Sequence, residues 1–560
     1  MSRILHLVVP LLLLALMAGC SRKHYRGSAD REAAVIIAAK GTVVPNMPTN
    51  FTIAVLEKIA LAGLPTKTVA EQFFGTNGDF EVSAQQLSLV QALDIAVKNS
   101  RNYQNQKESL YLQALSLALT RHRYTPIYSV DGAATYAQTV AEVQQNINSI
   151  LEERTLREQT VGGGGSVRAA YLLRTGGRLA VDFTTDFLRF ITGDPSVTSS
   201  SALVATFTQP LLRGGGKAAA EPITQAERDM LYALREFVRF RQEFTIDIVS
   251  RYYRALQNRD GMANSYRALM SLAQNVERET ANVDVGRRAA AQLDEIQQAA
   301  LNAEIGWINA IRQYQQSLDD FKITIGLPLE TMVYLDPGEL QRLQIAHPDI
   351  PEADATKVAL FGRLDLYNQR DQFEDAVRQV AVAANGLLPR VDLVASAGTG
   401  GARTGGGFPE IDWDAYRWNA GLDVDLPIDR KAERNSYRAA LINQDRSARE
   451  LELAMDNIRL QIREDWRALD QARRTFEISK MGVGIADRRV EEQNIRLDIG
   501  LGLAKDLVDA QAAQLNSQNA LTAALVGHTL ARLRFYRDMG LLTINEDGTW
   551  HEDSPNLSAK

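Results

Sequence analysis

From Leu497 to Asn516 the chain reads LDIGLGLAKDLVDAQAAQLN, and from Val283 to Asn302 it reads VDVGRRAAAQLDEIQQAALN. The two stretches are related by one offset: 500 − 286 = 214 pairs Gly286 with Gly500, and the same shift pairs Asp284 with Asp498, Leu293 with Leu507, Gln297 with Gln511, Leu301 with Leu515 and Asn302 with Asn516. It continues to Phe321 with Phe535, Gly326 with Gly540 and Leu327 with Leu541. On both sides of each glycine the pattern is helical. Before Gly286, Leu231, Leu234, Phe237, Phe244, Ile248, Tyr252 and Leu256 are spaced by three, four or seven, a coiled-coil rhythm. Before Gly500, the same spacings link Leu451, Met455, Ile458, Ile462, Trp466, Leu469 and Phe476. The first helix is predicted from about Lys217 to Ala281, roughly 95 Å at ~1.5 Å per residue, too long for a globular core. A glycine can adopt positive φ and reverse the chain. Gly286 and Gly500 therefore read as the tips of two antiparallel helical hairpins.

Each hairpin is preceded by a shorter helix and by strands. LSLVQALDIAVKNSRNYQNQKESLYLQALSLALTRHRYTP, from Leu87, is helical up to Pro126, and IYSVDGAATYAQT alternates as a strand. After a polar stretch containing VGGGGS, two strand-like pieces flank Thr175-Gly176-Gly177, and ALVATFTQPLL gives another. In the second half, GRLDLYNQRDQFEDAVRQVAVAANGLLPRVDLVASAG is a helix and then a strand. TGGARTGGGFPEID is a long loop, and YRWNAGLDVDLPID a strand. Residues 21 to about 84 read as an extended N-terminal segment.

The 560 residues carry a net charge of −6 and no basic stripe, which argues against nucleic acid as a partner. Arg3, the apolar run ILHLVVPLLLLALMA and the AGC ending at Cys20 form a signal peptide. Cys20, the single cysteine, follows the cut, as in a bacterial lipoprotein signal; Met17 is less usual there, and ordinary secretion is the alternative. Ser21 is not the aspartate that retains such proteins at the inner membrane. A lone cysteine permits no intramolecular disulfide. No later run of eighteen apolar residues exists, so a membrane role must come from the lipid or from a β-barrel.

Catalytic and cofactor motifs fail on detail. RGGGK at 213–217 is followed by Ala218 where a phosphate loop needs Ser or Thr, and reads as a turn into a helix. GVG at 482–484 reads as a local helix irregularity. The six histidines are scattered with no HExxH, and GGSVR lacks the nucleophile-elbow context. No catalytic, cofactor or metal site is expected.

RLDL at 363–366, the junctions TQPLLRGGG and DLPIDRKAE, the tips at Gly286 and Gly500 and the paired GL steps follow in an order and spacing that resembles the TolC family of outer-membrane efflux proteins. The resemblance runs from about Leu87 to Leu542. It implies a mainly α fold with a β-barrel part: a homotrimer in which each chain gives four strands to a shared 12-stranded transmembrane barrel and its hairpins to a periplasmic α-helical tunnel. VRAAYLLRTGGRLAVDF exceeds the family's strands and would lengthen the barrel or add a hairpin. The implied domains are a signal peptide (1–19), a lipidated extension (20–85), two efflux-protein repeats (86–335 and 336–545) and a tail (546–560). The implied partners are outer-membrane lipid, a periplasmic adaptor and an inner-membrane pump. The implied role is a passive exit duct in the outer membrane, lipid-anchored through Cys20. A lipid-anchored coiled-coil scaffold without a pore is the alternative.

The family places aspartates just after the tip glycine at the pore entrance. Asp506 and Asp509 stand there, at i and i+3 on one helix face; a solvated helix face is the other reading. At the first tip Gln292 takes the place of a carboxylate, and Arg288 adds a positive charge that would moderate the ring or pair with an aspartate.

Overall fold

The computed structural model describes residues 22–54, 61, 63–147, 150–190, 197–404 and 411–553. Cys20 and the signal sequence lie outside them. In chain order the elements are α1 (Arg22–Gly41), a 3-10 helix (Gln72–Glu81), β1 (Gln85–Leu87), α2 (Leu89–Asn99), α3 (Arg101–His122), β2 (Ile127–Ile147), β3 (Ile150–Leu172), β4 (Arg178–Phe190), β5 (Val197–Pro210), α4 (Lys217–Asp284), α5 (Ala290–Ile325), β6 (Val333–Leu335), α6 (Gly338–Arg342), α7 (Glu352–Gly362), α8 (Leu364–Gly386), β7 (Arg390–Thr404), β8 (Tyr416–Asp425), α9 (Lys431–Asp498), α10 (Ala504–Asp538), β9 (Leu542–Ile544) and β10 (Trp550–Glu552). None of these helices is long and apolar enough to cross a membrane. The chain divides into two compact units.

The first unit holds residues up to Ile36, Gln113–Leu231 and Arg370–Glu450. Its centre is a six-stranded sheet of order β2-β3-β4-β5-β7-β8, every neighbouring pair antiparallel. This corrects the expected four strands per chain. The strand-like excess is a full hairpin, because Thr175, Gly176 and Gly177 turn β3 into β4: Gly176 has φ +91 and its N–H donates to the Leu173 carbonyl at 2.9 Å. VGGGGS, expected outside the strands, lies within β3. The backbone ladder to β2 and β4 runs straight through Gly162–Gly165, so pairing on both sides outweighs the weak strand propensity of glycine. Residues 399–404 of the expected second-half loop extend β7.

The sheet has two chemically distinct faces. Alternation puts Leu179, Val181, Phe183, Thr185 and Phe187 of β4 on one side and Arg178, Asp182, Thr184 and Asp186 on the other. Carried through the register of the sheet, the first side takes Tyr128, Val130 and Tyr136 from β2 and Tyr416, Trp418, Leu422 and Val424 from β8. All seven are exposed. The opposite side takes Asp131 and Thr135 from β2 and Arg417, Asn419 and Asp423 from β8. An exposed apolar face backed by a polar one is the pattern of a transmembrane barrel wall.

At the strand-to-helix junction after β5, Gly214 and Gly216 take φ +77 and +62, and Asn385 Oδ1 accepts from the Gly214 N–H at 2.7 Å. RGGGK is thus a turn into α4, as expected. In the second half Asp429 accepts from the Lys431 N–H at 3.0 Å as α9 begins.

The second unit holds Ile37–Leu112, Tyr232–Gln369 and the residues from Leu451 onward. The α4 and α9 helices each have 68 residues, about 100 Å at ~1.5 Å per residue, and their first residues are separated by the same offset, 431 − 217 = 214. The α9 helix passes through Gly482 and Gly484 unbroken, which corrects the expected irregularity: a neighbouring helical ladder tolerates glycine at a modest cost. Phe237, Phe244, Ile248, Tyr252 and Leu256 of α4 and Ile458, Ile462 and Leu469 of α9 are buried, as their spacing implies. One cluster joins Ala355 and Ala359 of α7, Leu366 of α8, Ile458 and Ile462 of α9 and Phe535 and Met539 at the end of α10.

The N-terminal segment is more ordered than an extended strap. Arg22–Gly41 is helical and buries Ala33, Ile36 and Ile37; its alanine- and isoleucine-rich half supplies a helical apolar stripe that the breakers around it conceal. Further on, β1 pairs in parallel with β6.

Candidate functional site at the hairpin tips

Both tips end in the same backbone motif. Gly286 (φ +71) donates to the Val283 carbonyl at 2.9 Å and Arg287 N–H to that of Asn282 at 2.9 Å; Gly500 (φ +82) donates to Leu497 at 3.1 Å and Leu501 N–H to Arg496 at 2.9 Å. These are Schellman caps, which satisfy the orphan carbonyls of a helix end and favour glycine at the left-handed position. The far ends of α5 and α10 repeat it, with Gly326 at φ +81 and Gly540 at φ +76. Four duplicated glycines thus do one kind of job, but their surroundings differ. A Cβ on Gly286 or Gly500 would meet nothing within 4 Å, whereas one on Gly326 would lie 2.2 Å from the Asn99 carbonyl oxygen and one on Gly540 2.8 Å from the Gly362 backbone.

The two tips are tied together through Arg288. Its Nη1 donates to the Gly502 carbonyl at 3.0 Å and to Gln292 Oε1 at 3.1 Å, its Nη2 donates to the Leu497 carbonyl, and its Nε faces Glu279 Oε2 at 3.7 Å. Glu279 is buried and also accepts from Asn282 at 3.2 Å. Next to it Arg278 pairs with Asp498 at 3.0 Å. Beneath lies a small apolar cluster of Leu272, Ile296 and Ala504, flanked by Val276 and Val508. Asp506 and Asp509 are both exposed, in the first two turns of α10. Among the described residues Arg288 makes no ion pair with either of them. Within the single chain its charge faces Glu279, and its hydrogen bonds go to the last turn of α9 and the loop before α10. Gln292 is half-buried and its Oε1 accepts from Arg288.

Three clusters of titratable groups in this unit were not foreseen. Glu81, buried at the end of the 3-10 helix, accepts from Arg259 Nε and Nη2 at 3.0 Å each, from Tyr314 Oη at 2.7 Å and from Lys67 Nζ. Burial pushes its carboxyl up, but Arg259 and Lys67 outweigh that and hold it below its usual range. Trp307 Nε1 donates to the Phe73 carbonyl at 2.8 Å beside it, so the extension is pinned across α4 and α5.

The second cluster is built on RLDL. Buried Arg363 donates to Asp365 at 2.7 and 3.0 Å and to Gln461 at 2.8 Å, and Arg239 faces Asp365 at 3.0 Å. Burial raises the Asp365 carboxyl, yet Arg363 and Arg239 bring it below its usual range. Fully buried Asp538 accepts from Gln461 at 3.0 Å and from Arg537 at 2.6 and 3.0 Å. Beside it, burial and then Asp538 push the Asp465 carboxyl up to about 7.

The third is His528, wholly buried on α10, with neither ring nitrogen hydrogen-bonded and the His347 ring 6.1 Å away. Burial, then His347, Arg532 and Arg473, lower it to about 4. Apart from the local pairs Arg363–Asp365 and Arg537–Asp538, these partners lie more than ten and up to hundreds of residues apart, and one sequence carries no signal that links them. No cluster of three or more candidate metal ligands occurs among the described residues.

Residues 356–540 match the family model of outer membrane efflux proteins. In fold the chain is similar to the CmeC outer membrane channel of Campylobacter jejuni (16% identity, 88% of this chain and 91% of that one, TM-score 0.59). It is similar to the outer membrane protein VceC of Vibrio cholerae (14%, 81% and 96%, TM-score 0.58) and to the open-state MtrE outer membrane channel of Neisseria gonorrhoeae (14%, 81% and 88%, TM-score 0.56). No curated protein matches the chain. The resemblance to TolC-like outer-membrane efflux proteins holds in the domain match of the second half and in the fold of the whole.

Proposed function

We propose that this chain, with its outer membrane efflux protein domain and efflux-channel fold, is the outer-membrane channel of a tripartite exporter, conducting solutes passively from a periplasmic adaptor and an inner-membrane pump to the exterior. One observation carries the reading: a single chain combines a two-faced antiparallel sheet with two antiparallel hairpins built on 68-residue helices. The sheet's apolar face suits lipid, and a sheet with open edges needs further copies to satisfy its backbone there. Apolar residues left exposed on the hairpins, such as Leu301, Ile305 and Ile308 of α5 and Ile478, Met481 and Ile485 of α9, repeat by three and four and suit neighbouring protomers of a homotrimer.

In this reading the chain consists of two structural repeats, Cys20 carries the lipid anchor, the Gly286 and Gly500 tips meet the adaptor, and Asp506 and Asp509 line the entrance. No bond is made or broken. The test is planar-bilayer recording of the purified full-length protein with light scattering in detergent. Discrete conductance from a trimer is expected. A folded, non-conducting protein would instead be the pore-free scaffold.

A further inference from the structure

We infer that three copies of this chain close an 18-stranded barrel, each copy pairing its strand β2 with strand β8 of the next, and that the added β3–β4 hairpin thereby widens the outer exit. The inference rests on the channel reading above. Six strands per chain give 3 × 6 = 18.

Both edges of the sheet are built for pairing within lipid. On β2 the lipid-side residues are free of large polar groups from Tyr128 to Tyr136, where Gln138 interrupts the run before exposed Val140, and on β8 from Tyr416 to Val424, nine positions in each case. That is the length of a transmembrane strand, about 9–11 residues. Each edge therefore presents unpaired backbone N–H and C=O groups across the whole apolar band, where no water can satisfy them. Neither edge carries a proline or a lysine in this band that would blunt it.

The geometry also selects how copies join. Six alternating strands leave β2 and β8 running in opposite directions. Rotation about an axis along the sheet therefore brings β8 of one copy antiparallel to β2 of the next, and the alternation continues around a ring. Antiparallel self-pairing of two β2 strands would instead turn one copy upside down in the membrane relative to the other.

The register follows. One line of paired residues crosses the sheet from Val130 through Val167, Phe183, Leu203 and Thr399 to Tyr416. Levelling the two apolar bands places Tyr416 against Tyr136 of the next copy. The line then advances by 136 − 130 = 6 residues over six strands, one per strand. An eight-stranded barrel with a shear of eight has that stagger, with a tilt of about 36°, inside the usual range for closed barrels. The opposite stagger would set Tyr416 against position 124, which precedes β2.

Barrel diameter grows roughly linearly with strand number, so eighteen strands are about 1.5-fold wider than twelve. The hairpin thus acts on the size of solute that the exit admits, separately from the helical entrance.

Two measurements on the full chain test this. Val130→Cys combined in turn with Ala420→Cys, Leu422→Cys or Val424→Cys is oxidised in the membrane. A cross-linked ladder ending at three chains, strongest with Leu422→Cys, is expected. A ladder ending at two chains, or none in any pairing, overturns the proposal. Deleting residues 141–196 then leaves four strands, β2, β5, β7 and β8. The largest polymer admitted from the barrel side should fall about 1.5-fold in radius. An unchanged cut-off with conductance retained overturns the strand count and leaves the channel reading standing. A wild type that does not conduct overturns both.

Discussion

Arg288 of the first hairpin donates from Nη1 to the carbonyl of Gly502 in the second at 3.0 Å, and the two residues are each other's counterparts, 502 − 288 = 214. The repeat is therefore symmetric in backbone and asymmetric in side chain. At one tip an arginine reaches across; at the other a glycine exposes the carbonyl it reaches. Arg288→Ala would unlink the tips and leave buried Glu279 with a weaker partner, since Arg278 lies 4.0 Å away. Breaking a buried ion pair costs about 3–5 kcal/mol where no other charge compensates; with Arg278 close by, the smaller end is expected. Oligomer yield should hold while hydrogen exchange at residues 283–289 and 497–503 accelerates. Unchanged exchange would make the contact incidental.

The four duplicated glycines should separate into two pairs. Gly286→Ala and Gly500→Ala meet open space and lose only what the left-handed backbone costs an L-residue, roughly 1–2 kcal/mol. Gly326→Ala and Gly540→Ala also collide with the Asn99 and Gly362 backbones and should abolish or sharply reduce folded protein. Thermal melts of the four variants check this, and equal losses at all four would contradict it.

Arg259→Met should destabilise more than Glu81→Gln. The first leaves the buried carboxylate with only Lys67 and Tyr314, and the smaller end of the about 3–5 kcal/mol cost of breaking a buried pair is expected. The second keeps a neutral group that Tyr314 and Arg259 can still contact. Chemical denaturation ranks them, and the reverse order would mean that Lys67 alone satisfies Glu81.

The hairpins were legible because they depend on local chemistry: three-and-four spacing over dozens of residues, and glycine where φ must be positive. Phe244, Ile248 and Gly500 carry that information in themselves. The sixfold sheet was legible as strand-like residues but not as a count, since a glycine run such as Gly162–Gly165 reads as a break until its two neighbours supply the ladder. Arg288 was visible as a charge near the tip, but its partner is a backbone carbonyl, which every residue has. Glu81, Asp538 and His528 owe their character to burial by elements far away in the chain, which periodicity does not report.

Buried His528 on α10 and half-buried Asp465 on α9 should give stability opposite pH slopes. His528 is neutral in the native state, with its pKa lowered from 6.5 to about 4. The unfolded chain binds the extra proton between those values, so this contribution is full above about 6.5 and is lost as pH falls toward 4. Asp465 is raised from 3.8 to about 7. Here the native state holds the extra proton, so stability is full below about 4 and declines as pH rises through 7. The two windows overlap, so the slopes largely offset each other in the wild type. His528→Leu should make stability fall more steeply as pH rises from about 4 to 7, and Asp465→Asn should make it rise more steeply, each measured as melting temperature against pH. A slope that either substitution leaves unchanged is caused by another group.

Asp506 and Asp509 should set the ion selectivity of the entrance. Both are exposed at the start of α10, where the helix N-terminus favours a carboxylate, and Arg288 is engaged elsewhere, so their charge is not neutralised from the first tip. In a trimer they supply 3 × 2 = 6 carboxylates. Around a narrow mouth such a ring attracts cations and repels anions, and crowded oxygens from several chains suit multivalent cations, which would plug it. The wild-type channel should therefore be cation-selective and blocked by divalent or trivalent ions from the periplasmic side. Asp506→Ala with Asp509→Ala should shift the reversal potential in a salt gradient toward zero and weaken the block, with the oligomer intact. Because Gln292 replaces the counterpart of Asp506 at the first tip, Gln292→Glu should strengthen selectivity if its side chain can leave Arg288, and should leave it unchanged if Arg288 retains it. An unaltered reversal potential in the double alanine variant would place both aspartates on a solvated outer face.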